Sequence, residues 1–84
     1  MRWTINLIGK IIKYLRKSNK INQKDMCKIL NIGQSTLSDY ENNKISIDFE
    51  TIEKIATICD YEIQFINKNN KEIITSKNIE RKEL

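Results

Sequence analysis

Between residues 22 and 44 apolar side chains recur at Met26, Ile29, Leu30, Ile32, Leu37 and Tyr40. That spacing lets two short helices bury one shared seam. Asn22 fits the N-cap of the first of them, with Asp25 at the third helical position able to bond back. This helix runs to about Leu30, and Asn31, Ile32 and Gly33 form a tight turn. The second helix extends from about Gln34 to Glu41, and Asn42, Asn43 and Lys44 leave it in a loop whose backbone angles Asn tolerates. Upstream, Leu7, Ile8, Ile11, Ile12 and Leu15 make the apolar stripe of a helix predicted over residues 6–18. Lys10, Lys13, Arg16 and Lys17 lie off that stripe. Downstream, Asp48 caps a fourth helix reaching about Cys59, with Phe49, Ile52, Ile55, Ala56 and Cys59 at helical spacing.

After Asp60 the period drops from about 3.6 to 2. Tyr61, Ile63 and Phe65 alternate with Glu62 and Gln64, the pattern of a half-buried strand. Asn67, Lys68, Asn69 and Asn70 supply turn chemistry, and residues 72–76 are a second β-prone run. The pattern therefore predicts a mainly α fold ending in a short C-terminal β-hairpin or strand. It divides into a helical unit over 1–60, a β element over 61–76 and a charged tail over 77–84 that is expected to fray. A lone hairpin is marginal in water and exposes its edges, so it needs something to pack on, and self-association is the natural candidate.

Composition narrows this further. With 84 residues the chain forms one small domain, and the absence of Pro together with only two Gly favours helices over a β-sandwich. No apolar run approaches the ~18 residues of a membrane span, and no signal peptide is expected at the N-terminus. There are two Cys and no His. A zinc site takes about four ligands, so no metal or cofactor is expected. Cys27 and Cys59 fall at apolar helical positions, as reduced core thiols of a cytoplasmic protein do. Trp3 reads as a hydrophobic lid before the first helix. The net charge of +4 is uneven: residues 1–44 carry nine cations against three acids, and residues 45–84 six against eight. The positive half is the one containing the helix pair, as attraction to phosphate requires.

The outer side of the second short helix carries Gln34, Ser35, Thr36, Ser38 and Asp39. A solvated helix face usually carries Lys and Glu. Short uncharged hydrogen-bonding side chains instead suit a helix that reads base edges in the major groove of DNA. The stretches NQKDMCKILNI, GQSTLSDYENNK and DFETIEKIATIC resemble the helix-turn-helix of phage repressors and Cro proteins, the XRE family of bacterial regulators, over roughly residues 8–60. Two positions depart from the family pattern. Cys27 stands where a small residue such as Ala is usual, and Asn31 stands at the turn position usually held by Gly. Asn is the non-Gly residue most tolerant of the left-handed conformation, so the turn survives.

The resemblance implies a four-to-five-helix, lambda-repressor-like DNA-binding domain. It also implies roles. Gln34, Ser35 and Asp39 match base-contacting positions, and Gln23, Asn42 and Lys44 match phosphate-contacting ones. Thr36, Ser38 and Asn43 complete the candidate DNA-binding set. Asp39 is the unusual member, because phosphate repels it; it either accepts from cytosine N4 or binds a neighbouring Lys. Arg16 and Glu41 match an ion pair tying the first helix to the end of the third. The helix-turn-helix followed at once by a strand resembles the HipB-like antitoxins of toxin–antitoxin operons. There the strands of two chains pair across a dimer.

No catalytic constellation is present. Without His there is no Ser/His or Cys/His dyad, and no Gly-rich phosphate loop occurs. The expected function is a sequence-specific repressor that binds a palindromic operator as a homodimer, with double-stranded DNA, itself and a cognate toxin as partners. The dimer interface is expected at Tyr61, Ile63, Phe65, Ile73 and Ile74. The alternatives are a stand-alone phage-type or restriction-modification controller, and a toxin-neutralising interaction module.

Overall fold

Asn22 and Asp48 each begin a helix by offering a side-chain oxygen to the backbone two or three residues on. In the computed structural model, which describes residues 7–82, Asn22 Oδ1 accepts from the Asp25 N–H at 2.7 Å and Asp48 Oδ2 from that of Thr51 at 3.2 Å. The Thr51 hydroxyl also donates to Asp48 Oδ1, and this side-chain hydrogen bond is the main reason the Asp48 carboxyl titrates below the usual carboxylate range. The elements are α1 (Ile8–Ser18), α2 (Gln23–Leu30), α3 (Gln34–Glu41) and α4 (Phe49–Ile58), then strands β1 (Phe65–Ile66) and β2 (Ile73–Ile74) and a 3-10 turn at Ile79–Arg81. Asn6, expected to start the first helix, and Trp3 lie outside the described residues.

All four helices stop by one device. Lys20, Asn31, Asn43 and Asp60 adopt left-handed backbone angles, with φ of 58°, 57°, 58° and 64°. The N–H of the following residue then reaches back five positions: Ile21 to the Arg16 carbonyl, Ile32 to Cys27, Lys44 to Asp39 and Tyr61 to Ala56, at 2.7–3.1 Å. These are Schellman closures. Only the Asn positions announce themselves in the sequence, because Lys and Asp are weaker markers of this conformation.

The core is built from Ile12, Leu15, Met26, Cys27, Leu37, Ile55 and Cys59. Both thiols are free and buried, and burial raises their pKa values, so they remain protonated near neutrality. Cys27 Sγ donates to the Gly33 carbonyl at 3.5 Å, a use for the thiol that a smaller Ala lacks. Four residues expected to pack in the helical core are half exposed: Leu7 at 50 %, Ile11 at 51 %, Ile29 at 57 % and Phe49 at 50 %. Four short helices cover only part of each other's circumference, so residues at the edge of an apolar stripe stay wet.

The β element is shorter than its alternation predicts. Only Phe65–Ile66 and Ile73–Ile74 pair, antiparallel, with Phe65 opposite Ile74 and Ile66 opposite Ile73. Tyr61 closes the end of α4, and residues 61–64 run on without strand pairing. Asn67 organises the turn: its Oδ1 accepts from the N–H groups of Asn69 and Asn70, as an Asx turn does. Residues 78–82 lie back against the hairpin. Asn78 Oδ1 accepts from the Thr75 N–H, its Nδ2 donates to the Ile73 carbonyl, and Lys82 Nζ meets Glu72 at 2.9 Å.

Gly9 marks a close approach between α1 and the end of α3. A Cβ there meets the Tyr40 carbonyl, Asn43 Oδ1 at 2.7 Å and the Glu41 carbonyl at 2.9 Å. Ala normally gains about 1 kcal/mol over Gly inside a helix, yet overpacking against rigid backbone costs about 1–3 kcal/mol. Gly9→Ala is therefore expected to destabilise the domain on balance. Urea unfolding followed by circular dichroism measures the sign, and a raised midpoint contradicts this close approach of α1 and α3.

Candidate nucleic-acid interface

The position of α3 is fixed from beneath by two buried side chains of unlike kind. Leu37 is fully buried in the core, while Glu41, 5 % exposed, turns toward α1 and meets Arg16, 6 % exposed. Arg16 Nε donates to Glu41 Oε2 at 2.6 Å and Nη2 to Oε1 at 3.0 Å, a bidentate fork. Its Nη1 donates to the Ile21 carbonyl at 2.8 Å, tying the start of α2 into the same arrangement. Glu41 Oε1 accepts a further bond from Gln23 Nε2 at 3.1 Å, and Gln23 Oε1 accepts from Gln34 Nε2 at 3.4 Å. One chain of contacts thus runs from α1 through the end of α3 and the head of α2 to the first residue of α3. Among the described residues no buried side-chain polar atom is left without a partner.

The nine candidate DNA-binding residues sort into two groups by what their side chains touch. Gln23 and Gln34 belong to the chain of contacts just described. Asn42 Nδ2 donates to the Ser38 carbonyl at 2.9 Å and approaches the Ser38 hydroxyl at 3.4 Å, closing the last turn of α3. Asn43 Oδ1 accepts from the Gly9 N–H at 3.1 Å, joining the exit loop to the start of α1. The side chains of Ser35, Thr36, Asp39 and Lys44 make no hydrogen bond or ion pair among the described residues. Lys44 contributes its backbone N–H to the Asp39 carbonyl at 2.8 Å, but no lysine pairs with the Asp39 carboxylate. The roles of Gln23 toward Glu41 and of Asn43 toward Gly9 escape a sequence reading. An amide side chain gives no sign of its partner, and the partners lie 18 and 34 residues away.

Gln34 and Ser35 are exposed at the head of α3, and Asn42, Asn43 and Lys44 are exposed just past its end. Between them a polar ridge faces outward with Leu37 directly beneath. Two packed helices at this spacing, with the second presenting such a ridge, form a helix-turn-helix unit. The helix-turn-helix family model matches residues 12–66. The chain belongs to the XRE-type helix-turn-helix family.

Family membership makes it a DNA-binding regulator. The chain is 41 % identical over 50 residues to the antitoxin PezA of Streptococcus pneumoniae serotype 4 (strain ATCC BAA-334 / TIGR4), covering 60 % of this chain and 32 % of that protein. It thus spans about a third of the length of PezA. It is also similar to the ImmF control region 10 kDa protein of Bacillus phage phi105, 24 % identical over 74 residues, covering 88 % of this chain and 82 % of that protein. No solved structure matches. Among the described residues no helix is long and apolar enough to cross a membrane, and no group of three or more Cys, Asp or Glu is placed to hold a metal ion.

Arg16 and Glu41 are buried in the same family scaffold, so each depends on the other. Removing one partner of a buried pair leaves an uncompensated charge and costs about 3–5 kcal/mol. Removing both relieves much of that cost, so a double-mutant cycle of Arg16→Met and Glu41→Gln is expected to show a coupling of about 0.5–3 kcal/mol. Thermal unfolding of the four variants measures it; strictly additive losses contradict the pair.

Proposed function

We propose that this chain is a sequence-specific transcriptional repressor that binds a palindromic operator as a homodimer, without catalysis. The observation that carries the reading is the division of labour on α3. Leu37 and Glu41 hold the helix from below, while Ser35 is exposed, Thr36 and Asp39 are half-buried, and none of the three has a side-chain hydrogen bond or ion pair among the described residues. Gln34 and Ser35 at the head of the helix are proposed to reach base edges. Asp39 accepts from an amino group such as cytosine N4, since no lysine neutralises it. Gln23, Asn42, Asn43 and Lys44 flank the reading face, and their donors fix the register on phosphate.

A single reading helix spans too few base pairs for a specific operator. Two of them, held about 34 Å apart, cover both halves of a palindrome. The proposed link is the C-terminal β element. Tyr61, Phe65 and Ile73 are 51 %, 64 % and 42 % exposed, and Ile63 and Ile74 are half-buried beside them. Adjacent strand residues point to opposite faces, so Phe65 and Ile74 share one face of the hairpin, and Ile66 and Ile73 share the other. The Phe65 face continues past Phe49 and Ile63 onto α1 and α4. Apolar area of this kind on so small a domain supports association with a second copy.

The regulatory setting we favour is a toxin–antitoxin operon of the HipBA-like kind, in which this chain also binds the cognate toxin. The identity with part of antitoxin PezA supports it. A stand-alone phage-type controller is the second reading, supported by the phi105 control-region protein, which aligns over most of both chains. The neighbouring reading frame separates them: a toxin that co-purifies with this chain supports the first, and its absence supports the second.

If Gln34 makes a bidentate contact to a base, Gln34→Ala is expected to cost about 1–3 kcal/mol and to relax specificity at one base pair. Lys44→Ala is expected to weaken binding to all sequences alike and to lower the salt slope by about 1. Gel-shift titrations at several salt concentrations on a duplex selected by the wild-type chain measure both. Unchanged affinity in both variants sinks the assignment.

Replacing an exposed apolar residue of the hairpin tests the dimer without dissecting the fold. Phe65→Glu is expected to keep the helical circular dichroism signal, to sediment as a monomer where the wild type sediments as a dimer, and to bind the operator at least tenfold more weakly. Unaltered sedimentation places the interface elsewhere.

A further inference from the structure

We propose that α1 carries a second DNA-contacting surface, Lys10, Lys13 and Lys17, which lies along the phosphates flanking the half-site read by α3. The inference rests on the DNA-binding reading above and extends it to a helix outside the helix-turn-helix unit.

The first observation is where α1 sits. Gly9 donates to Asn43 Oδ1 at 3.1 Å and packs on the carbonyls of Tyr40 and Glu41, so the first turn of α1 rests against the loop by which the chain leaves α3. That loop carries Lys44, exposed and proposed to meet phosphate. About two turns further along α1, Arg16 reaches Glu41 from the same edge of the helix. At about 100° per residue, Lys13 lies roughly 40° around from the Gly9 edge. Lys17 and Lys10 follow at about 80° and 100° by the same geometry. All three lie on the side away from Ile8, Ile12 and Leu15, which face the core. The three lysines therefore form a strip beside the α1–α3 contact, with Lys10 and Lys17 exposed and Lys13 half-buried.

The second observation is that this strip costs the isolated protein stability. Helix α1 has no acidic residue. Lys10 and Lys13, and Lys13 and Lys17, stand at spacings where like charges destabilise a helix. Lys10 also lies in the first turn, where the helix dipole disfavours a cation. Among the described residues none of the three lysines forms an ion pair; the pairs present join Arg16 to Glu41, Lys77 to Glu62 and Lys82 to Glu72. A solvated face normally mixes both signs. An array of one sign with no partner, repelling itself and abutting a DNA-facing loop, matches a polyanion that lies alongside it.

The geometry also sets the length of the contact. From Lys10 to Lys17 is seven residues, about 10 Å along a helix, or about three base-pair steps of B-DNA at roughly 3.4 Å each. The strip thus extends each half-site by about three base pairs through contacts that are indifferent to sequence.

The test uses the full-length chain and a duplex enriched from a random library by the wild type, in two lengths, with and without three outer base pairs at each end. The Lys10→Gln/Lys13→Gln/Lys17→Gln variant removes three charges while keeping good helix formers. A control, Lys54→Gln/Lys68→Gln/Lys71→Gln, removes the same net charge from α4 and the hairpin turn. On the long duplex the α1 variant is expected to bind at least tenfold more weakly, with its salt slope lower by about 2–3 per half-site at roughly 0.9 per contact, and the control is expected to bind as the wild type does. On the short duplex the α1 variant and the wild type are expected to converge. Equal salt slopes for the α1 variant and the wild type on the long duplex overturn the proposal. So do equal losses in the α1 variant and the control, since these mark bulk charge. If Gln34→Ala still loses binding in those cases, the reading helix stands and only the α1 contact falls. A wild-type chain that enriches no duplex overturns both.

Discussion

The bidentate pair of Arg16 and Glu41 is the constraint on which the arrangement of the first three helices depends. Two ions have been taken out of water, which is unfavourable unless every donor and acceptor finds a partner. Here they do: the guanidinium reaches both carboxylate oxygens and the Ile21 carbonyl, and Glu41 accepts again from Gln23. A hydrophobic contact of the same size tolerates sliding and rotation. A forked ion pair does not, because displacement of about 1 Å leaves a charge unpaired in a poorly solvated place. What the pair contributes is therefore position more than net stability. It fixes the rotation of α3 about its own axis, and so fixes which side chains look outward.

Backbone geometry completes what the pair begins. The chain has only two glycines, and neither has positive φ. The tight helix ends are made by Lys20, Asn31, Asn43 and Asp60, each at some cost relative to glycine. Every one of these closures places a residue with a defined task immediately afterwards. Ile21 and Ile32 pack on the core, Lys44 enters the exit loop, and Tyr61 begins the hairpin segment. Gly9 stands where α1 comes against the backbone at the end of α3.

Much of this is legible in the sequence, for physical reasons. Caps at Asn22 and Asp48, the period of the apolar positions and the two Asn turn residues mark α2, α3 and α4 nearly to the residue, because these signals are local. The ion pair becomes legible only through the family resemblance, since nothing in the spacing of Arg16 and Glu41 says that they meet. The hairpin is legible as a tendency but not in its extent. Alternation over residues 61–65 reports which side chains are apolar, whereas pairing depends on where the partner strand lies, and only two residues on each side find one. The hydrogen bonds of Asn78 to the Thr75 and Ile73 backbone are not legible at all, because an amide side chain gives no sign of its partners. Ile11, Ile29 and Phe49 show the same limit in the core: periodicity gives the direction of a side chain but not whether another element covers it.

A last step follows from the way α3 alternates between the two demands placed on it. Leu37 and Glu41, four residues apart and hence on one side of the helix, are spoken for by the core and by Arg16. Ser35, Thr36 and Asp39 make no side-chain hydrogen bond or ion pair among the described residues. Substitution at these outward positions leaves the ion pair, the Gln23 bridge and the core undisturbed, so the surface offered to DNA varies while the scaffold stays the same. That separation is in keeping with a family match extending from α1 into the hairpin while likeness to a phage control-region protein is 24 % identity over 74 residues. It also limits what likeness transfers. The scaffold residues define the fold and the kind of ligand, whereas the operator is written in a few side chains that the fold does not constrain.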